Sequence, residues 1–165
     1  MKRDILLLLL MVIFFTSCGK ECTIVDFPLL YQNEGIFCEK TDFIVGAVIS
    51  NKTVLTKCYD KIDNIWFDEF PIQQAGKRIL IDFNENGKGV LLLCGDISAG
   101  TEEHLFFCSD DCGKTWEKCA IDEPSYTMIT DLRMQEDGKI ELSYLSIKND
   151  HDGADLYEVS IEREE

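Results

Sequence analysis

Short runs of β-branched and aromatic residues, separated by Gly, Asn and Asp, fill most of the chain and restrict it to a sheet-based fold. Phe43 to Ile49 is followed, after the junction S-N-K, by Thr53 to Tyr59 and then by Trp66 to Phe70. Arg78 to Phe83 precedes the turn N-E-N-G-K-G, Val90 to Cys94 is a dense apolar run, and His104 to Cys108 gives another. The last stretch repeats the theme with Met128 to Met134, the turn Q-E-D-G-K, Ile140 to Ile147 and Leu156 to Ile161. Runs of this kind read as strands and their junctions as turns. No long helical period follows the first 18 residues. The expected fold class is therefore all-β, made of antiparallel sheets.

A weak internal repeat organises these runs. I-D-F-N-E-N-G-K (Ile81 to Lys88) overlays L-R-M-Q-E-D-G-K (Leu132 to Lys139) at an offset of 51, and the same offset carries His104 to Cys108 onto Asp155 to Val159. An offset of 50 places Cys58 under Cys108, Asp60 under Asp110 and Trp66 under Trp116. The implied unit is about 50 residues, near the size of a propeller blade, and the chain holds about three of them. Complete propellers need about four blades or more, so three units leave open edges. Those edges are removed if the sheets fold as a small sandwich, an incomplete barrel or a ring completed by an oligomer. The expectation is a compact propeller-blade-like or sandwich-like domain.

The sequence S-D-D-C-G-K-T-W, Ser109 to Trp116, resembles the Asp-box, S-x-D-x-G-x-T-W, of bacterial neuraminidase repeat proteins, sortilin-like receptors and related propellers. Ser109, Asp111, Gly113, Thr115 and Trp116 all match the motif. The resemblance implies a structural cap on the hairpin between the outer strands of a blade, with Asp111 accepting turn hydrogen bonds, Gly113 in a glycine-favouring backbone state and Trp116 packed inward. Local physics supports the same roles, because short polar acceptors and glycine favour turns and Trp carries a large packing contribution. The corresponding segment Tyr59 to Trp66 keeps only the final Trp and lacks the glycine. One structural element carries no activity with it. A sialidase-like centre would need an arginine cluster, a tyrosine nucleophile and an acid/base carboxylate, whereas the only arginines after the first 17 residues are Arg78, Arg133 and Arg163.

The start of the chain specifies a destination. Met1, Lys2 and Arg3 give a basic start, and an apolar run from Ile5 to Phe15 follows. This is the order of a secretory signal. As a helix the run spans about 16 Å, short of a hydrocarbon core of roughly 30 Å, so it is a poor permanent transmembrane segment. F-T-S-C-G (Phe15 to Gly19) resembles a lipobox, with Phe15 where the family usually has an aliphatic residue. The resemblance implies cleavage before Cys18 and lipidation of that cysteine. Multiple acyl chains retain a protein where one does not. Gly19 stands where an aspartate would favour inner-membrane retention, so the expected location is the bacterial outer membrane, facing the periplasm. The expected organisation is a signal peptide over residues 1–17, a lipidated tether over 18–27 and a single β-rich domain over 28–165.

Charge and cysteines narrow the function classes. Loss of Lys2, Arg3 and Asp4 with the signal leaves 14 Lys plus Arg against 30 Asp plus Glu, a net charge of −16. Such a surface repels nucleic acid and steers cationic partners toward itself. With Cys18 assigned to lipid, seven cysteines remain: Cys22, Cys38, Cys58, Cys94, Cys108, Cys112 and Cys119. An odd number cannot all pair within one chain, and there is no C-x-x-C for thioredoxin-like chemistry. Cys108, Cys112 and Cys119 lack the spacing of a paired zinc knuckle, and an exported chain favours disulfides, so no metal or other cofactor is expected. Cys108 and Cys119 bracket the proposed hairpin and are the expected disulfide, with Cys112 as the competitor for either.

Neither histidine, His104 nor His151, lies in a nucleophile motif. Asp150, Asp152 and Asp155 resemble a calcium loop only superficially, because the terminal bidentate Glu is missing. With Asp96, Glu102 and Glu103 they are read instead as acidic loops that present carboxylates to a partner. The expected function is a non-catalytic, protein-binding envelope lipoprotein, with an immunity protein against a basic antibacterial toxin as its specific form. A subunit or assembly factor of an envelope complex, or a surface lipoprotein that binds a glycan or another ligand, are the alternatives. Intact-mass analysis of membrane fractions is expected to show loss of residues 1–17 plus acyl mass, and Cys18→Ala is expected to lose both processing and membrane retention.

Overall fold

A computed structural model of the chain describes residues 26–74, 76–98, 101–121, 127–147 and 154–161. These comprise a short helix α1 (Leu29–Glu34) and the strands β1 (Ile36–Glu39), β2 (Phe43–Ser50), β3 (Thr53–Asp60), β4 (Ile65–Trp66), β5 (Phe70–Ile72) and β6 (Arg78–Phe83). The chain continues through β7 (Gly89–Ser98), β8 (Thr101–Ser109), β9 (Glu117–Cys119), β10 (Thr127–Met134), β11 (Ile140–Ile147) and β12 (Ala154–Ile161). The fold is all-β and every strand pairing is antiparallel. Sheet one runs β1-β2-β3, with β4 and β5 sharing the outer edge of β3. Sheet two is β6-β7-β8-β9 and sheet three is β10-β11-β12. Sheets two and three follow chain order, sheet one departs from it only in the pairing of β5 with β3, and none closes on itself.

Turn chemistry accounts for the hairpins. Asn51 and Lys52, the two residues between paired Ser50 and Thr53, both adopt positive φ (48° and 66°), which suits a tight two-residue hairpin loop. Between β6 and β7, the Asn84 side chain accepts bonds from the amides of Asn86 and Lys88, and Gly87 takes a φ of 81°. The turn between β10 and β11 uses Gly138 at a φ of 89° in the same place.

Two cores separate the three sheets. Between sheets one and two lie Phe43, Val45, Val54, Cys58, Phe83, Leu91, Leu93 and Trp116. Between sheets two and three lie Val90, Leu92, Cys94, Phe106, Cys108, Ile129, Ile140 and Leu142. From Val90 to Cys94, consecutive residues of β7 therefore alternate between different cores while all are apolar, as expected of a strand segment covered on both faces. On the far side of sheet one, α1 and Phe27 pack over Ile44 and Val48. Phe27, placed by sequence at the end of the tether, is thus part of the folded core. The helix was not visible in the sequence: six residues are too few to show a period, and Pro28 before it offers no side-chain cap.

The repeat corresponds to physical stacking. Residues 51 apart meet across sheets two and three: Arg78 donates to the carbonyl of Ile129, the Asn84 amide to that of Gln135, and the Glu85 N–H to the Glu136 carboxylate. Asp82 ties all three sheets together, accepting from the Met134 N–H at 2.8 Å and the Cys38 thiol at 3.4 Å and pairing with Lys40 at 3.3 Å. Leu92→Ala is expected to cost about 2–5 kcal/mol, because its fully buried side chain has neighbours on both strands and on the facing sheet. Asp82→Ala, which leaves the Met134 amide without its acceptor, is expected to cost about 1–3 kcal/mol. Urea denaturation of each variant measures both.

Candidate functional site

The turn from Ser109 to Trp116 is closed by its own side chains. Ser109 Oγ accepts from the Gly113 N–H at 2.9 Å and donates to Asp111 Oδ1, also at 2.9 Å. Asp111 in turn accepts from the Thr115 N–H at 2.9 Å and the Thr115 hydroxyl at 2.6 Å. Gly113 has a φ of 79°, and a Cβ there would lie 3.0 Å from Phe83 and Val45, so both conformation and space demand glycine. Trp116 is buried, packs edge-on against Phe83, and donates its indole N–H to Thr56 Oγ1 at 3.0 Å. Lys114 sits 4.0 Å above the Phe67 ring and 4.0 Å from Asp60. The turn thus anchors sheet two to sheet one. A shallow cleft of about 190 Å³ beside it is lined by Ser109, Asp111 and Thr115 among others, and these three direct polar atoms at one another.

On the opposite face of the same hairpin, Cys108 and Cys119 form a disulfide with a Cα separation of 6.0 Å, inside the usual range. The two are diagonal neighbours, since Cys108 is paired with Glu117 and Cys119 with Phe106. Cys38, Cys58 and Cys94 are buried thiols and Cys112 is a partly buried one. Burial, followed by the charge of Asp82, pushes the Cys38 thiol up to about 12. Burial, followed by proximity to Cys112, does the same for Cys58. Cys112 is also raised, chiefly by burial. These thiols are poor nucleophiles at neutral pH.

A second polar constellation lies at one end of the core between sheets two and three. Arg78, Cys94 and His104 occupy one rung across β6, β7 and β8, because Cys94 is paired with Arg78 on one side and His104 on the other. Glu102 lies two residues before His104 and so shares its face. Its carboxylate is 2.8 Å from His104 Nε2 and takes two contacts from Arg78 Nη2, at 3.1 and 3.3 Å. The Glu102 and His104 side chains are only 6% and 2% exposed.

This arrangement corrects the reading of the stretch from Asp96 to Glu103 as an acidic loop. β7 extends to Ser98 and β8 begins at Thr101, so Asp96, Glu102 and Glu103 belong to a paired hairpin. Glu102 faces inward because Arg78 and His104 provide partners that solvent would otherwise replace. Asp96 is exposed, with Lys77 at 3.3 Å, and Glu103 is exposed. Sequence reading missed the role of Cys94 and Arg78, whose signal lay only in hairpin register. Cys18, Asp150 and Asp152 lie outside the described residues. Asp155 is placed only as a β12 backbone position opposite Ser146.

Burial works against ionisation of Asp111, but hydrogen bonds from Thr115 and Ser109 outweigh it and hold the carboxyl below its usual range. A depressed carboxyl contributes stability above its unfolded value of 3.8, and that contribution is lost as pH falls through the lower folded value. Asp111→Asn is therefore expected to be less stable than the wild type at about pH 7, with the gap shrinking at about pH 3 in paired urea melts. A gap independent of pH would assign the effect to something other than the carboxylate. No protein-family model matches the chain, and no curated protein or solved structure gives a significant match.

Proposed function

We propose that the protein is a non-catalytic envelope lipoprotein, held at the outer membrane through Cys18, that binds a cationic protein partner stoichiometrically from a blade-like β scaffold. On this reading the Ser109–Trp116 turn is a structural Asp-box, and the specific form is an immunity protein for a basic toxin.

One observation carries the proposal. Trp66 and Trp116, related by the offset of 50, sit on corresponding faces of consecutive sheets, each directed toward the layer that precedes it. Sheet one covers Trp116. Among the described residues, Trp66 has the helical segment before it, where Phe27 meets its ring at 4.7 Å; Tyr59 lies at 4.9 Å and the Lys57 ammonium at 5.6 Å, and Trp66 remains 36% exposed. Ile65 and Ile62 beside it are 49% and 72% exposed, and Asp63, Asp68 and Glu69 are exposed around them. An aromatic anchor with aliphatic neighbours and a charged rim has the composition of a protein-binding hot spot. The surplus of acidic side chains favours a basic partner and fast encounter.

Fractionation on the immobilised protein, followed by calorimetry with the recovered partner, tests this reading. A one-to-one complex is expected, with Trp66→Ala weakening it by about 2 kcal/mol or more, roughly 30-fold. Charge reversal at Asp63 and Glu69 is expected mainly to slow association and reduce its salt dependence. In the immunity form, co-expression also suppresses the toxicity of the partner. Reproducible turnover by the purified protein, abolished by one Asp or Glu substitution that leaves the fold intact, would replace this function with an enzymatic one.

A further inference from the structure

We propose that Cys94, Glu102 and His104 form a binding site for one divalent cation of the zinc class, with Arg78 as a positioning residue for the carboxylate. One ligand atom from each, the thiol sulfur, a carboxylate oxygen and an imidazole nitrogen, lies within 4.8 Å of both others. In a four-coordinate zinc site with bonds of about 2.0–2.3 Å, ligand atoms sit roughly 3.3–3.8 Å apart. The Glu102–His104 contact of 2.8 Å opens slightly to reach that geometry. Side-chain rotation suffices, because the backbone already supplies the arrangement: Cys94 and His104 are direct cross-strand partners, and Glu102 follows the same face of β8.

The donor set selects the metal. A thiolate and an imidazole favour zinc and its late-transition neighbours, whereas calcium and magnesium require oxygen ligands. Thiolate and carboxylate together neutralise a divalent cation, an important condition in a core where Cys94 is fully buried. Binding forms the Cys94 sulfur–metal bond and breaks its S–H bond, and the proton leaves to solvent. Arg78 holds the Glu102 carboxylate from the other side while donating to the Ile129 carbonyl of sheet three. It therefore orients a ligand and links the site to the facing sheet, as outer partners of metal ligands do. Arg78 is about one-third exposed, which makes this end of the core the entry side, and water from that side completes the coordination. The three ligands come from one hairpin closed by strand pairing, so the site does not depend on the partner surface at Trp66.

The test uses the purified protein, freed of metal and with accessible thiols reduced, titrated with Zn²⁺ against a chromophoric chelator and separately with Co²⁺. One equivalent is expected to bind, and Co²⁺ is expected to give a thiolate-to-metal charge-transfer band with tetrahedral ligand-field absorption. Cys94→Ser is expected to abolish the band, while Cys38→Ser and Cys112→Ser retain it. His104→Gln and Glu102→Gln are expected to weaken binding by at least about 100-fold, and Arg78→Lys by roughly tenfold with the ligand set unchanged. Should a core variant fail to fold, X-ray absorption at the zinc edge of the wild type reads the ligands directly, with one sulfur and the rest nitrogen or oxygen expected. Absence of stoichiometric binding, a sulfur-free zinc shell, or a cobalt band that survives Cys94→Ser would each overturn the site and leave the four side chains as a purely structural hydrogen-bond network.

Discussion

The central run of β7, Val90 to Cys94, has no solvent face to which polar side chains can be consigned, and the rest of the molecule is arranged around that constraint. Val90, Leu92 and Cys94 point into one core and Leu91 and Leu93 into the other, so a run that would be half polar in a two-layer protein is apolar from Val90 to Cys94. Apolar area supplies attraction but little register, because one greasy face fits another in several ways. Register between the sheets is set by the polar groups of β6 and the turn that follows it. Arg78, Asp82 and Asn84 each reach a backbone partner on β10 or its following turn, and Asp82 also holds β1 through Cys38 and Lys40. A slip of one residue would break these bonds together and leave the buried Asn84 amide without its Gln135 acceptor, a penalty of about 1–3 kcal/mol.

The hairpin of β8 and β9 gives each core a different kind of restraint. Trp116 sends its ring and its indole N–H toward sheet one, while the Cys108–Cys119 disulfide faces sheet three. The intervening turn needs little from its surroundings to hold its shape, since Ser109, Asp111 and Thr115 bond one another. A locally closed turn of this kind fixes the directions of both attachments. Strand pairing sets where the side chains lie, and the turn sets which side each of them serves.

Much of this was legible in the sequence, and the parts that were not share a cause. Strand runs, turn positions and the offset of 51 depend on local pattern, so β6, β10 and the two stacked turns could be anticipated. The cysteine pair at 108 and 119 was recoverable because it brackets a recognisable turn. The acidic stretch from Asp96 to Glu103 was misread because Gly, Asp and Ser signal a loop, whereas the fate of Glu102 is decided by Arg78, 24 residues earlier. The grouping of Cys94 with His104 depended on hairpin register, including an irregularity between Cys94 and Ile97 that no spacing rule exposes. Helix α1 exists because Phe27 and Tyr31 find a surface to cover, a tertiary effect absent from six residues considered alone.

The nearly sequential order of the strands has a kinetic side. Strands adjacent in space are neighbours in the chain or, for β3 and β5, only one strand apart, so each sheet forms with short loop closures and a small entropic cost. Docking of one sheet on the next spans only about fifty residues, as the Arg78–Ile129 and Asn84–Gln135 bonds illustrate. Assembly can thus proceed from either end, but sheet two must wait for both neighbours before its apolar faces are hidden. During that interval it is the segment of the chain most exposed to association with other chains, so the same double-sided burial that organises the native state defines its principal hazard during folding.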